Sequence, residues 1–373
     1  MKLLLSSFLI PFAICISPVQ SQSIQVEVEN DHSNLERGAF TTASGTMSNA
    51  GNTVVVDGSQ NYFRSGNPLA ASFSYDLKKA GLITLEEGAK RITVDHAGNQ
   101  LSESELDYFK PGDESIYILQ FDNGSSIVRD NIANFTLYDP AGEQVLTVSN
   151  SSQSPDGERV SGIKSDRSGS SIVLYNPEIR MGDIVRSRAS LINKKNQSLD
   201  TFYEAEGRTI SEVIISDNGS YILLLTNSAS DHYVSMYDRF GNQIFDLAAE
   251  LEPRSATVTN DGNYLTIFSS GRAQVYNTLS GEQLGSASLR GNLLFASYQT
   301  EDDTIILLGG EESGTNISNP QVSAVNIGLR QIARGEVKTE LSKGAGALNV
   351  NRTRPNQYTL TGFNKNLILS TSF

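Results

Sequence analysis

Apolar positions along this chain recur at alternate residues or in runs of about four to eight, and helical i, i+3, i+4 spacing is nearly absent after the first few residues. The runs are broken by Asn-Gly, Asp-Gly, Ser-Gly and Pro-Asp-Gly steps. Asp and Asn accept local backbone hydrogen bonds in such turns, and Gly supplies a positive φ without a Cβ clash. The pattern predicts many short antiparallel strands.

The pieces recur in a fixed order. SPDGERVSGIKSDRSGSSIVLYNPEIRMG runs from Ser154 to Gly182, DNGSYILLLTNSASDHYVSMYDRFGNQIF from Asp217 to Phe245, and DGNYLTIFSSGRAQVYNTLSGEQL from Asp261 to Leu284. Each reads as a tight turn, a strand, a polar loop, a second strand ending in Tyr-Asn or Tyr-Asp, and a glycine turn. Fainter copies begin near Asn49, Gly112, Glu301 and Asn356. Taking Gly51, Asp113, Gly157, Gly219, Gly262, Asp303 and Asn356 as equivalent turns, the shortest spacings match the roughly 40–45 residues of a four-stranded propeller blade. The expected fold is therefore all-β: a single β-propeller of about seven four-stranded blades, within a range of six to eight.

The ends suit a closed ring. The last unit stops after its third strand, and Ile24-Gln25-Val26-Glu27-Val28-Glu29 alternates strictly with no local partner. This N-terminal segment is expected to complete the last blade from outside, removing an exposed edge. Tyr75, Tyr138, Tyr175, Tyr237 and Tyr276 fall at equivalent strand ends in this register and are expected to be buried between blades.

The segment from Ser154 to Gly182 resembles the SPDG…LWD…TG blade pattern of the divergent WD40-like (YVTN/quinoprotein-like) β-propeller superfamily. Tyrosine stands where that family commonly has tryptophan, which this chain lacks altogether. The Gly-His dipeptide of true WD40 blades is also missing. The resemblance implies an interaction platform more often than an enzyme, and fold by itself does not choose between them.

Composition adds a compartment. Met1-Lys2, an apolar run from Leu3 to Ile16, and Val19 and Ser21 at −3 and −1 form a signal-peptide pattern. Residues 1–21 are the expected signal peptide and 22–373 the propeller domain of a secreted or periplasmic monomer. The apolar run is too short to span a bilayer, so no membrane span is expected. Cys15 is the only cysteine and leaves with the signal. A net charge of −13 argues against a phosphate-neutralising surface, so nucleic acid is not an expected partner.

The search for chemistry returns little. There is no G-x-S-x-G, P-loop, dinucleotide fingerprint or HExxH, and no two of the three histidines have zinc-site spacing. No catalytic residue, metal ligand or cofactor is assigned. The leading function is a non-enzymatic extracytoplasmic scaffold that binds a protein, polysaccharide or other ligand. The alternative is a hydrolase or lyase with a carboxylate or divalent-metal site in the channel. The two longest spacings suggest loop insertions from Glu86 to Pro111 and from Asp183 to Ser216. These would form a binding rim on one face carrying Asp95, His96, Asp107 and Tyr108, and Lys194, Lys195, Tyr203 and Glu204.

Overall fold

In a computed structural model of the chain, every helix or strand assigned among the described residues is a β-strand. The structure describes residues 22–31, 40–42, 45–49, 54–56, 61–63, 70–74, 78–85, 88–95, 99–106, 116–130, 134–148, 162–288, 292–299, 302–342, 349–361, 363 and 365–371. The strands assort into eight sheets, each containing a run of four hydrogen-bonded strands.

Sheet I comprises Phe40–Thr42, Gly45–Asn49, Val54–Val56 and Asn61–Phe63. Sheet II comprises Ala70–Phe73, Lys79–Thr84, Lys90–Asp95 and Gln100–Glu105, and sheet III Tyr117–Gln120, Ser126–Arg129, Phe135–Tyr138 and Gln144–Val148. Sheet IV holds Gly162–Ser165, Ile172–Met181, Ile184–Asn193 and Ser198–Glu206. Sheet V holds Thr209–Ile215, Tyr221–Asn227, His232–Asp238 and Gln243–Ala249. Sheet VI is Pro253–Val258, Tyr264–Ser269, Arg272–Asn277 and Gln283–Ser288. Sheet VII is Asn292–Gln299, Thr304–Ser313, Asn316–Asn326 and Gln331–Glu336, and sheet VIII begins Asn349–Arg354, Gln357–Thr361, Lys365–Ser370.

The first strands of neighbouring sheets lie side by side, as Ala70–Phe73 does with Tyr117–Gln120 and Pro253–Val258 with Asn292–Gln299. First strands thus gather innermost and fourth strands lie outside, the arrangement of propeller blades. Alternation follows from this stacking, because each of sheets III to VII buries both faces against its neighbours. Leu223, Leu225 and Val234 of sheet V pack on sheet VI, while Ile222, Leu224 and Tyr237 pack on sheet IV.

The N-terminal segment clasps two blades. Gln25–Asp31 pairs antiparallel with Lys365–Ser370 and supplies the fourth strand of sheet VIII, as its alternation suggested. Gln22–Ser23 pairs parallel with Gln331–Glu336 of sheet VII. Between them Ile24 is 5% exposed in a core shared by both sheets, and its amide donates to the Arg334 carbonyl at 2.9 Å.

Eight sheets stand at the top of the expected range, and the difference from seven has a clear origin. The unit read from Asn49 joins Val54–Val56, the third strand of sheet I, to Ala70–Phe73, the first strand of sheet II. The two proposed insertions are corrected here. Glu86 to Pro111 contains the third and fourth strands of sheet II, and Asp183 to Ser216 contains two strands of sheet IV and the first of sheet V. Every strand in a propeller alternates alike, so periodicity does not tell a strand's place within its blade.

The tyrosine register is partly corrected as well. Tyr138, Tyr237 and Tyr276 end third strands and are 5%, 4% and 7% exposed. Tyr237 meets Phe202 of sheet IV edge-on at 5.0 Å, and Tyr276 meets Phe245 of sheet V at 6.3 Å. Tyr175 is instead in the second strand of sheet IV and half-buried. Tyr75 lies outside the described residues, as does the Ser154–Gly157 turn. The first turn of sheet IV is Asp166–Ser171, where Asp166 accepts from the Ser171 amide at 2.6 Å.

Candidate functional site

One face of the molecule carries the turns between first and second strands, together with those between third and fourth. The first set repeats one piece of chemistry. Ser216 and Thr259 bond the Asn218 and Asp261 side chains, and then accept the amides of Tyr221 and Tyr264 at 3.0 and 3.1 Å. A glycine follows because φ is positive, +75° at Gly262, and because a Cβ there would stand 2.3 Å from the Tyr221 ring. These turns also bond one another. Ser171 donates to the Gly219 carbonyl at 2.6 Å, Asn218 to that of Asn260 at 3.1 Å, and Tyr221 to that of Asp261 at 2.9 Å. Asp302 of sheet VII receives Arg352 of sheet VIII at 2.9 Å. Much of this face's polar capacity is therefore spent on joining blades.

The residues singled out in the sequence fall into three settings. Asp95 closes a third-to-fourth-strand turn by accepting the Asn99 amide at 2.8 Å and its side chain at 2.9 Å. Lys194 and Lys195 occupy the same class of turn in sheet IV, and Lys194 donates to the Gly169 carbonyl at 2.5 Å. Burial lowers the Lys194 pKa, with Asp166 opposing. Tyr203 is 8% exposed in the fourth strand of sheet IV, and Glu204 beside it pairs with Arg188 at 3.2 Å. His96, Asp107 and Tyr108 lie outside the described residues.

The opposite face has a feature that the sequence reading missed. In sheets IV and VII the second and third strands run far past the length seen in sheets V and VI. Ile172–Met181 and Ile184–Asn193 have ten residues each, and Thr304–Ser313 and Asn316–Asn326 have ten and eleven. The corresponding strands of sheet VI have six. On the sheet IV hairpin, register places Met181 opposite Ile184 and Ile179 opposite Arg186. Ile184 is 40% exposed at the tip, above a ladder of Arg186–Glu206 at 3.8 Å and Arg188–Glu204. The sheet VII tip is acidic and exposed at Glu311 and Glu312, while Ile317 beneath it is covered by Leu341–Ser342. The only signal for these hairpins in the sequence is two unusually long strand-forming stretches around Met181-Gly182 and Ser313-Gly314.

At the inner edge of sheets IV and V, Lys164, Tyr175 and Glu212 come into one electrostatic neighbourhood. Gly162 pairs with Tyr175, and a Cβ on Gly162 would meet the phenol ring at 2.3 to 2.7 Å, so the ring lies across the glycine. Burial pushes the Glu212 carboxyl above its ordinary pKa, with Lys164 opposing. Burial raises the Tyr175 phenol, and Glu212 adds to it. Among the described residues no group of three His, Cys, Asp or Glu side chains is placed to hold a metal ion. His232 bonds Asn227 at 2.9 Å, not the adjacent Asp231.

No family model matches the chain, and neither does any curated protein. Solved structures do match. The Dos1 propeller aligns at a TM-score of 0.56 with 14% identity, over 88% of this chain and 83% of that one. KlHsv2, in a form with loop 6CD replaced by a Gly-Ser linker, aligns at 0.50 with 10% identity over 79% and 89%. BamB from Moraxella catarrhalis aligns at 0.48 with 15% identity over 93% and 99%. At these identities the likeness concerns architecture. The chain has the fold of a β-propeller.

Proposed function

We propose that the chain is an extracytoplasmic, non-enzymatic scaffold, and that the long hairpins of sheets IV and VII hold its partner. The observation that carries this reading is their extension beyond what blade packing uses. Sheets V and VI stack with strands of six or seven residues, so the extra length in sheets IV and VII adds surface to a rigid base. The sheet IV hairpin combines exposed Ile184 and half-buried Met181 at its tip with Arg186 and Arg188 below, and methionine and arginine are enriched at protein interfaces. Of the residues picked from sequence, Glu204 belongs to this surface through Arg188.

Export is supported by the signal-peptide pattern before Gln22, the residue at which the first described strand begins. No helix among the described residues is long and apolar enough to cross a membrane. The test is capture of a protein or polysaccharide partner by full-length chain and by variants with residues 179–186 or 313–316 replaced by a short Asn-Gly turn, the second chosen to keep buried Ile317. Loss of capture with unchanged melting supports the hairpin site, and full capture by both variants refutes it.

A second reading, a hydrolase or lyase acting in the channel, is favoured by one observation. Glu212 is a half-buried carboxyl of raised pKa near a phenol and an ammonium, a setting suited to general-acid work. Glu212→Gln abolishing a measured hydrolytic activity would favour it over the scaffold reading.

A further inference from the structure

Sheets VI and VII do not meet over their whole depth. The last strand of sheet VI reads Gln283-Leu284-Gly285-Ser286-Ala287-Ser288, and it turns small residues toward its neighbour. A Cβ built on Gly285 would touch only Val275, at 3.6 Å. The result is a cleft of about 280 Å³. Part of its lining is apolar, from Ala287, Leu293, Leu307 and Val325.

Another part of the lining is polar because of strand register. Ser323 lies opposite Arg334, and Val325 opposite Gln331, so these side chains share the face of sheet VII that lines the cleft. The Arg334 guanidinium donates to the Gln321 side-chain carbonyl, a neutral acceptor. Among the described residues Arg334 forms no ion pair, whereas Arg186, Arg188, Arg272 and Arg352 each have a carboxylate within 4 Å. An apolar recess with one cation at its rim is complementary to an apolar body carrying one negative charge.

We propose that this cleft binds a small apolar monocarboxylate, with its hydrocarbon against Leu293, Leu307 and Val325 and its carboxylate on Arg334. Two facts narrow the class. The volume equals that of about nine water molecules at about 30 Å³ each, which suits a phenyl ring or a short alkyl chain. The chain as a whole carries a net charge of −13, so a single guanidinium favours a monoanion over a phosphate dianion. The same chemistry is offered by a free acid and by the C-terminal residue of a peptide. This site is separate from the hairpins and does not rest on the scaffold reading.

Calorimetric titration of the full chain with 3-phenylpropionate and with its amide tests the proposal, and N-acetyl-Gly-Phe with a free or amidated C-terminus distinguishes the two sources. Saturable binding is expected for at least one acid, at least tenfold weaker for the matching amide. Arg334→Gln is expected to weaken the acid at least tenfold without altering the amide. Ala287→Phe, which fills the recess, is expected to abolish both. Binding by the free acid alone assigns a small-molecule site, and tighter binding by the peptide assigns a C-terminus site. Equal binding of acid and amide to the wild-type chain would overturn the proposal. So would absence of saturable binding by either acid, or unchanged affinity in a normally melting Arg334→Gln variant. The acid-to-amide comparison needs no variant, so the result stands even if a substitution impairs folding.

Discussion

Sheets V and VI share one turn chemistry at one end of their strands, and sheets IV and VII differ from them in strand length at the other end. In sheets V and VI, Ser216–Tyr221 and Thr259–Tyr264 repeat one set of side-chain bonds, and their second and third strands stop after six or seven residues. In sheets IV and VII those strands continue for ten or eleven residues. The turn end is constrained because the turns of sheets III, IV and V each bond the turn of the next blade. The hairpin tips lie beyond such contacts, although Ile317 at the base of the sheet VII tip is held by Leu341–Ser342, so length at the tips is open to variation. Stability should therefore concentrate at the turn end and recognition at the hairpin end.

The largest test removes what ties sheets VII and VIII together. A chain beginning at Asn30 loses the parallel pairing to sheet VII, most of the fourth strand of sheet VIII, and buried Ile24. It should melt lower by more than about 10 °C or fail to unfold cooperatively. An unchanged transition would show that the clasp is not part of the stable core.

Next come the tyrosines at the turn end. Tyr276→Ala opens the packing between sheets V and VI and should cost about 3–5 kcal/mol in denaturant unfolding. The same substitution at half-buried Tyr175, which is not at a third-strand end, should cost visibly less. Equal losses would show that Tyr175, which packs against the core between sheets IV and V from a second strand, is as firmly held as the third-strand tyrosines.

Two glycines separate the faces directly. Gly262 and Gly182 both have positive φ, +75° and +64°, so Ala pays a similar backbone cost of about 1–2 kcal/mol at each. A Cβ at Gly182, on the sheet IV hairpin tip, meets nothing within 4 Å, but at Gly262 it strikes the Tyr221 ring. Gly262→Ala should therefore be the more destabilising, by about 1–3 kcal/mol for the overpacking. A larger loss at Gly182 would reverse the assignment of the two ends.

Glu212 gives a smaller effect with a definite sign. Its folded pKa lies above the ordinary 4.5, so the fold binds its proton more tightly than the unfolded chain does. That contribution is present below about pH 4.5 and is lost as pH rises through the folded value. Glu212→Gln should raise the melting temperature at pH 7, and the gain should shrink toward pH 4. A pH-independent difference would contradict burial of the carboxylate. The smallest effect belongs to the exposed hairpin tips, 179–186 and 313–316, whose shortening should change stability by no more than about 0.5 kcal/mol while Ile317 is kept. A collapse of the fold on shortening would make them structural parts of their blades.

How far the sequence could be read depended on which chemistry was local. The turn from Asp217 to Gly219 and that from Asp261 to Gly262 were legible because their hydrogen bonds close within a few residues. The pairing of residues 25–31 with the last strand was legible because a strictly alternating segment without a nearby partner must find a distant one. Sheet II was not legible as a blade, since Lys90–Asp95 ends in Val94-Asp95 where sheets III, V and VI have tyrosine. The Asp95 bonds to Asn99 do the same work there, without the aromatic marker.

The candidate sites were less legible than the fold. Arg334 and Ala287 lie far apart in the chain and in different sheets. They share a cleft only because Gly285 and Ala287 leave a gap where a neighbouring blade brings its polar face. Likewise Tyr175 and Glu212 meet only after sheet V packs on sheet IV. Alternation and turn chemistry are properties of neighbouring residues, and they determined by themselves that the chain would form short strands in repeated sheets. Which strand stands where in its blade, how many blades form, and which side chains converge depend on contacts between residues distant in sequence, and those only the packing of one sheet on another decides.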